Sequence, residues 1–115
     1  PDYETHAARL PATTPRRRFL AATARGTPGD VSAPDALSAA IARGFAGETL
    51  PPAIRLDLAQ DKLGEAILSA MALYISGAGG ETKDIVPALA TFRATGLEDT
   101  ARRAALQLLI LERQR

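Results

Sequence analysis

The chain has 115 residues and a mass of 12.1 kDa, enough for one hydrophobic core and too little for two. Fourteen Lys and Arg oppose thirteen Asp and Glu, so the net charge of +1 supplies no whole-chain attraction to nucleic acid or to anionic lipid. There is no Cys, no Trp, one His, three Phe and two Tyr, which excludes disulfide frameworks, thiol catalysis, cysteine-based metal sites, a histidine-rich metal cluster and an aromatic base-stacking platform.

What remains is a helix-forming vocabulary. Ala (24) and Leu (15) make up about a third of the chain, and both keep most of their freedom in a helix, whereas Val occurs twice. The composition predicts an all-α fold: a compact bundle or short solenoid of four to five helices with an irregular N-terminal arm. Arg outnumbers Lys twelve to two, a skew that follows genome base composition and points to a GC-rich bacterial source. No apolar run approaches the roughly 18 residues of a membrane span. The chain opens on Pro1, so a processed product or the terminal part of a longer chain is expected.

Residues 1–32 read as an arm or linker, with Pro1, Pro11, Pro15 and Pro28 forbidding a long helix. Only Arg16 to Arg25 supports a short one, starting at Pro15. Arg16-Arg17-Arg18-Phe19-Leu20 is similar to the twin-arginine export signal, but its continuation, interrupted by Arg25, Gly26 and Asp30, lacks the apolar segment such a signal needs, which favours the cytoplasm over the periplasm. Three adjacent cations among few acids also make Arg16, Arg17 and Arg18 the candidate phosphate contacts of an alternative nucleic-acid reading. No later helix supplies a basic face with side chains for base edges, because Arg102-Arg103 stand beside Glu98-Asp99 at helical spacing. His6, the sole imidazole, has no nucleophile or carboxylate assignable to it.

Residues 33–115 read as the helical domain. A helix starts near Ala33, capped by Ser32 or Asp35, and carries Leu37, Ala40, Ile41 and Phe45 on one face. Pro51 and Pro52 force a break, and a shorter helix follows from Pro52 to about Ala59. The best-defined element is Asp61 to Ile75. Leu63, Ala66, Ile67, Ala70, Leu73 and Tyr74 form one stripe of it, and Leu68, Met71, Ala72 and Ile75 an adjacent second one. Apolar over more than half its circumference, it is expected at the centre of the packing, with Gly77 supplying the left-handed turn that ends it. Asp57, Asp61 and Glu65 would line one face if the two helices were continuous, and a divalent cation is the chemistry such a face invites; without a matching Glu and His set on a second helix, a solvated acidic face is the preferred reading. Gly77-Ala78-Gly79-Gly80-Glu81-Thr82-Lys83 lacks the spacing and the preceding strand of a phosphate loop and reads as a helix-to-helix turn. A helix from Thr82–Asp84 to Gly96 and a last one from Glu98 to about Glu112 complete the chain. The final run Leu106 to Leu111 is apolar nearly all round, so it is either central or seated on a partner.

Setting Asp61 against Asp99 aligns two acid-led helices 38 residues apart, with Ala66 on Ala104 and Leu68 on Leu106, a period within the helical-repeat range of about 34 to 47 residues. The segment Leu63 to Gly77, with Gly64, Ala66, Leu68 and Tyr74, resembles the first helix of a tetratricopeptide-type unit. The resemblance covers about 50 residues, and the Trp of that pattern has no counterpart. It implies an α-solenoid interaction module. With catalytic residue types scarce, no cofactor and no enzymatic activity are expected. The function expected is protein–protein interaction or assembly, with a protein partner or a second copy docking on Leu108, Leu109 and Leu111 of the last helix together with Phe19 and Leu20 of the arm.

Overall fold

A computed structural model describes residues 14–114, which form six α-helices and no strand. Helix α1 spans Pro15–Ala24, α2 Ala36–Phe45, α3 Pro52–Ala59, α4 Leu63–Ala78, α5 Ile85–Ala94 and α6 Glu98–Gln114. Short 3-10 turns at Pro28–Asp30 and Thr82–Asp84 precede α2 and α5.

Local chemistry sets the boundaries. Thr14 caps α1 by accepting from the Arg17 N–H at 3.2 Å, and Pro15 occupies the first turn, where a missing donor costs nothing. Asp35, not Ser32, caps α2: its Oδ1 accepts from the Ser38 N–H at 2.8 Å. Gly96, at φ +85°, closes α5 as expected; the Leu97 N–H returns to the Phe92 carbonyl at 2.8 Å and the Gly96 N–H to that of Arg93 at 3.1 Å. The same paired bonds end α3, where the Lys62 and Asp61 N–H groups return to Asp57 and Leu58 at 2.7 and 3.2 Å, but the left-handed position there is Asp61, at φ +58°. Asp57, Asp61 and Glu65 are therefore split between two helices and a turn, and the continuous acidic face does not exist.

The core differs from the expected one in its centre. Helix α5 holds that place: Ile85, Val86, Ala88, Leu89, Ala90, Thr91 and Phe92 are all buried, and α5 packs against α2, α4 and α6. Helix α4, the most apolar on paper, buries only Ala66, Ala70 and Gly77. These small residues share one side of the helix and bring its backbone close to α5. Gly77 does not end α4. It sits inside the helix against Ile85, where a Cβ would lie 2.2 Å from the isoleucine Cδ1, and the turn comes three residues later at Gly80, φ +130°. Leu68 and Leu106, aligned by the 38-residue period, lie in opposite environments: Leu106 is buried and Leu68 exposed.

Candidate functional site

The residues expected to meet a partner are mostly interior. Phe19 and Leu20 project from α1 into the same core as Leu89, Phe92, Leu106, Leu108 and Leu109, and all four of Phe19, Leu20, Leu108 and Leu109 are buried. In this fold they are packed inside and present no face to solvent. The cause is the packing of α1 on α6: the basic helix covers the apolar end of the last helix, so the hydrophobic run Leu106 to Leu109 is satisfied within the chain. Of the predicted set only Leu111 reaches solvent, at 41% exposure.

The three arginines are also separated. Arg16 donates to the Leu109 carbonyl at 3.0 Å and lies 3.6 Å from the Asp35 carboxylate, tying α1 to the end of α6 and to the cap of α2. Arg17 buries its Nε, and Arg18 is exposed. One helix turn thus sends them in different directions, and the cations do not form one phosphate-facing row. His6 lies outside the described residues.

Two polar clusters tie helices together; of the first, the Glu98–Arg102 pair was expected from the spacing and Arg93 was not. The Arg93 guanidinium lies 5.0 Å from the centre of the Phe45 ring, donates to the Phe45 carbonyl at the end of α2, and donates to Glu98 Oε1 at 2.7 Å. Arg102 donates to the other Glu98 oxygen at 2.9 Å. Burial pushes the Glu98 carboxyl up, but the hydrogen bonds and charges of Arg93 and Arg102 outweigh it and hold the group below its ordinary value. Tyr74 donates to the Ala104 carbonyl at 3.1 Å, with its ring tilted against Phe92; burial raises its hydroxyl above the ordinary tyrosine value. These are structural ties. The early signal for Glu98 was its place at a helix start beside two arginines; nothing in the pattern marks Arg93.

A cleft of about 360 Å³ opens between the start of α2 and the ends of α4 and α6, lined by Asp35, Leu37, Gly77, Leu108, Leu111 and Glu112 among others. Asp35 is already engaged by the α2 cap and Arg16, so the cleft offers few groups for chemistry. Among the described residues no three His, Cys, Asp or Glu side chains are grouped to hold a metal ion, and no helix is long and apolar enough to cross a membrane.

Among the described residues, most of the exposed large hydrophobic side chains lie on α4, three of them on its outer side. Leu68 is 65%, Met71 48% and Ile75 70% exposed, and Ala72 is exposed between them. At 3.6 residues per turn Leu68 and Ile75 differ by about 20° around the helix, with Met71 and Ala72 about 40–60° to either side. They form one stripe, opposite Ala66, Ala70 and Gly77. Leu56 and Leu63 are exposed nearby in the chain but do not lie on it. Comparisons with protein-family models, with curated proteins and with solved structures found nothing that matches this chain.

Proposed function

We propose that this chain is a helical protein–protein interaction or assembly module without enzymatic activity, and that its docking surface is the Leu68–Met71–Ala72–Ile75 stripe of α4. The observation that carries the reading is the exposure of this stripe beside a core that is otherwise well filled. Small soluble domains seldom leave a contiguous apolar face uncovered, and an aligned helix stripe is the shape that a groove or another helix recognises. Of the two architectures expected, a bundle is better supported than a solenoid. A solenoid unit touches only its sequence neighbours, whereas α1 packs on α6 and α2 on α5. The nucleic-acid alternative has less to draw on, since Arg16 is engaged by Leu109 and Asp35; a steep loss of binding with salt would be its signature.

The test is site-specific photocrosslinking in the native host, with a photoreactive residue at Leu68 or Ile75 and, as control, at exposed Gln107 on α6. A discrete product from positions 68 and 75 that is absent at 107 is expected. No product, or the same ladder at all three positions, overturns the proposal.

A further inference from the structure

We infer that α3 and α4 are two parts of one helix broken at Asp61, and that the break is a hinge. In the second state the Asp61 backbone turns right-handed, Ile54 leaves its site, and a single helix runs from Arg55 to Ala78. The inference goes beyond the docking surface proposed above and does not depend on it. Four observations meet at this joint. The first is the conformation of Asp61. Among the described residues it is the one residue other than glycine at positive φ, +58°, a region that a side chain makes costly. Nothing else in Gln60-Asp61-Lys62 stops a helix, since the segment holds neither glycine nor proline.

The second is the uncapped start of α4. No side chain accepts from its first turn, and the first N–H there to find a backbone partner is that of Ala66, 3.1 Å from the Lys62 carbonyl. With Asp61 right-handed, the N–H groups of Leu63, Gly64 and Glu65 donate to the carbonyls of Ala59, Gln60 and Asp61. The bonds of the present turn, from Asp61 to Leu58 and from Lys62 to Asp57, give way to equal ones from Asp61 to Asp57 and from Lys62 to Leu58. The end of α4 is open for this extension: Leu63, Gly64 and Glu65 are exposed, and no heavy atom lies within 4 Å of a Cβ built at Gly64.

The third is the weak anchor of α3. Ile54 is the only side chain that α3 buries, and no residue of α3 belongs to the core cluster built by the other helices. An element held so lightly opens at lower free energy than the core. Residues 46–54, once extended, reach up to about 30 Å, which leaves α2 in place. The fourth is the pair of exposed leucines off the stripe, Leu56 and Leu63. Seven residues apart, they fall within about 20° of each other on a straight helix, in line with Ile67 and Tyr74. The straight form therefore presents an apolar face that the bent form divides. Asp57, Asp61 and Glu65 oppose it, because a straight helix sets these like charges four residues apart. Their repulsion and the burial of Ile54 keep the bent form at rest.

The chain has no cysteine, so exposed Arg55 and Ala72, both replaced by cysteine, carry one pair of spin labels. On a straight helix these positions lie about 25 Å apart along the axis. In the bent form α3 is folded onto α4 and the pair is closer. Double electron–electron resonance should show a discrete population near the straight-helix distance. Its share should rise about threefold or more in Asp61→Ala, which adds helix propensity and removes both like-charge pairs. It should fall in Asp61→Gly, which eases the left-handed turn. Ile54→Ala should raise it as well. Hydrogen exchange at Leu63, Gly64 and Glu65 should slow in Asp61→Ala, a change that mere melting of α3 does not produce. A pair held at the bent distance when Asp61→Ala and Ile54→Ala are combined, a broad spread of distances without slower exchange at those three amides, or equal shares in the alanine and glycine variants overturns the inference.

Discussion

The approach of α2 to α5 rests on a missing side chain, and replacing it tests the whole account of the core. Gly44 lies near the end of α2, buried against Leu89 and Val86. A Cβ at this position would fall 2.8 Å from the Leu89 Cβ and 3.3 Å from the Val86 carbonyl oxygen. Ordinary carbon–carbon contact is about 3.5–4.0 Å. Neither atom can rotate away, since one is fixed to the backbone and the other belongs to it, so Gly44→Ala must push the two helices apart by up to about 1 Å. Ile41 and Phe45, on the same side of α2, then lose contact with α5. Overpacking of a filled core costs about 1–3 kcal/mol, whereas alanine returns about 0.5–1 kcal/mol of helix propensity, less near a helix end. The balance is a destabilisation of about 1–2 kcal/mol, at about 4–8 °C in Tm per kcal/mol for a domain of this size. Gly64→Ala is the matched control. No heavy atom lies within 4 Å of the added methyl, so only the propensity gain remains and Tm should hold or rise. Thermal denaturation of both variants at low concentration checks this. A Gly44→Ala Tm equal to or above that of the wild type would refute the close approach of α2 and α5.

The other predictions concern the core, two helix ends and one ion cluster. Leu89→Ala should cost about 2–5 kcal/mol by urea denaturation, and Leu68→Ala less than about 0.5 kcal/mol, because only the first empties a packed site. Asp35→Ala should cost about 1 kcal/mol through the lost α2 cap, visible as a lower denaturation midpoint. Asp61→Gly should stabilise by about 1 kcal/mol, since it removes a side chain from a left-handed position; a neutral or harmful result would show that the Asp61 carboxylate does something the backbone does not require. Glu98 is held below its ordinary value of 4.5, so the stability it supplies is present above that pH and fades as the pH falls through its lower folded value. Glu98→Gln should therefore be weaker than the wild type at neutral pH, with the difference closing in acid, as read from denaturation midpoints across pH.

The helices were largely legible in the sequence because their punctuation is strong and local. Pro15, Pro52 and Gly96 each bound a helix where the pattern placed it, and Asp35 caps one that starts at Ala36 rather than near Ala33. The short helix at Arg16 was legible for the same reason. What the pattern did not carry was the choice among faces. Helix α4 offers two adjacent apolar stripes and α6 an apolar run nearly all round, and hydropathy alone ranks α4 as the more central. Side-chain size reversed that order. Ala66, Ala70 and Gly77 form a shallow track that admits another helix closely, and Gly77 was read as a stop because glycine also ends helices. The burial of Phe19, Leu20, Leu108 and Leu109 escaped the pattern for a related reason. Whether Leu108 and Leu109 need a partner depends on whether residues 15–24 cover them, a contact between the two ends of the described chain that no local pattern contains.

This division of α4 has a physical consequence. The inner track fixes the distance to α5, and its small residues leave little apolar area to gain there beyond that close approach. The outer stripe carries larger side chains that the fold of a single chain does not use. Hydrophobic stabilisation scales with the area removed from water, so Leu68, Met71 and Ile75 hold a driving force that the packing of the described residues leaves unspent. On the proposed reading, folding and docking fall on opposite sides of one helix. A substitution that enlarges the inner side disturbs both, because it tilts or lifts the outer stripe, whereas a charge placed on the outer side should abolish association while leaving the core intact. Gly77→Ala and Met71→Asp represent these two classes, and the separation of their effects is what a helix with one structural and one recognition face requires.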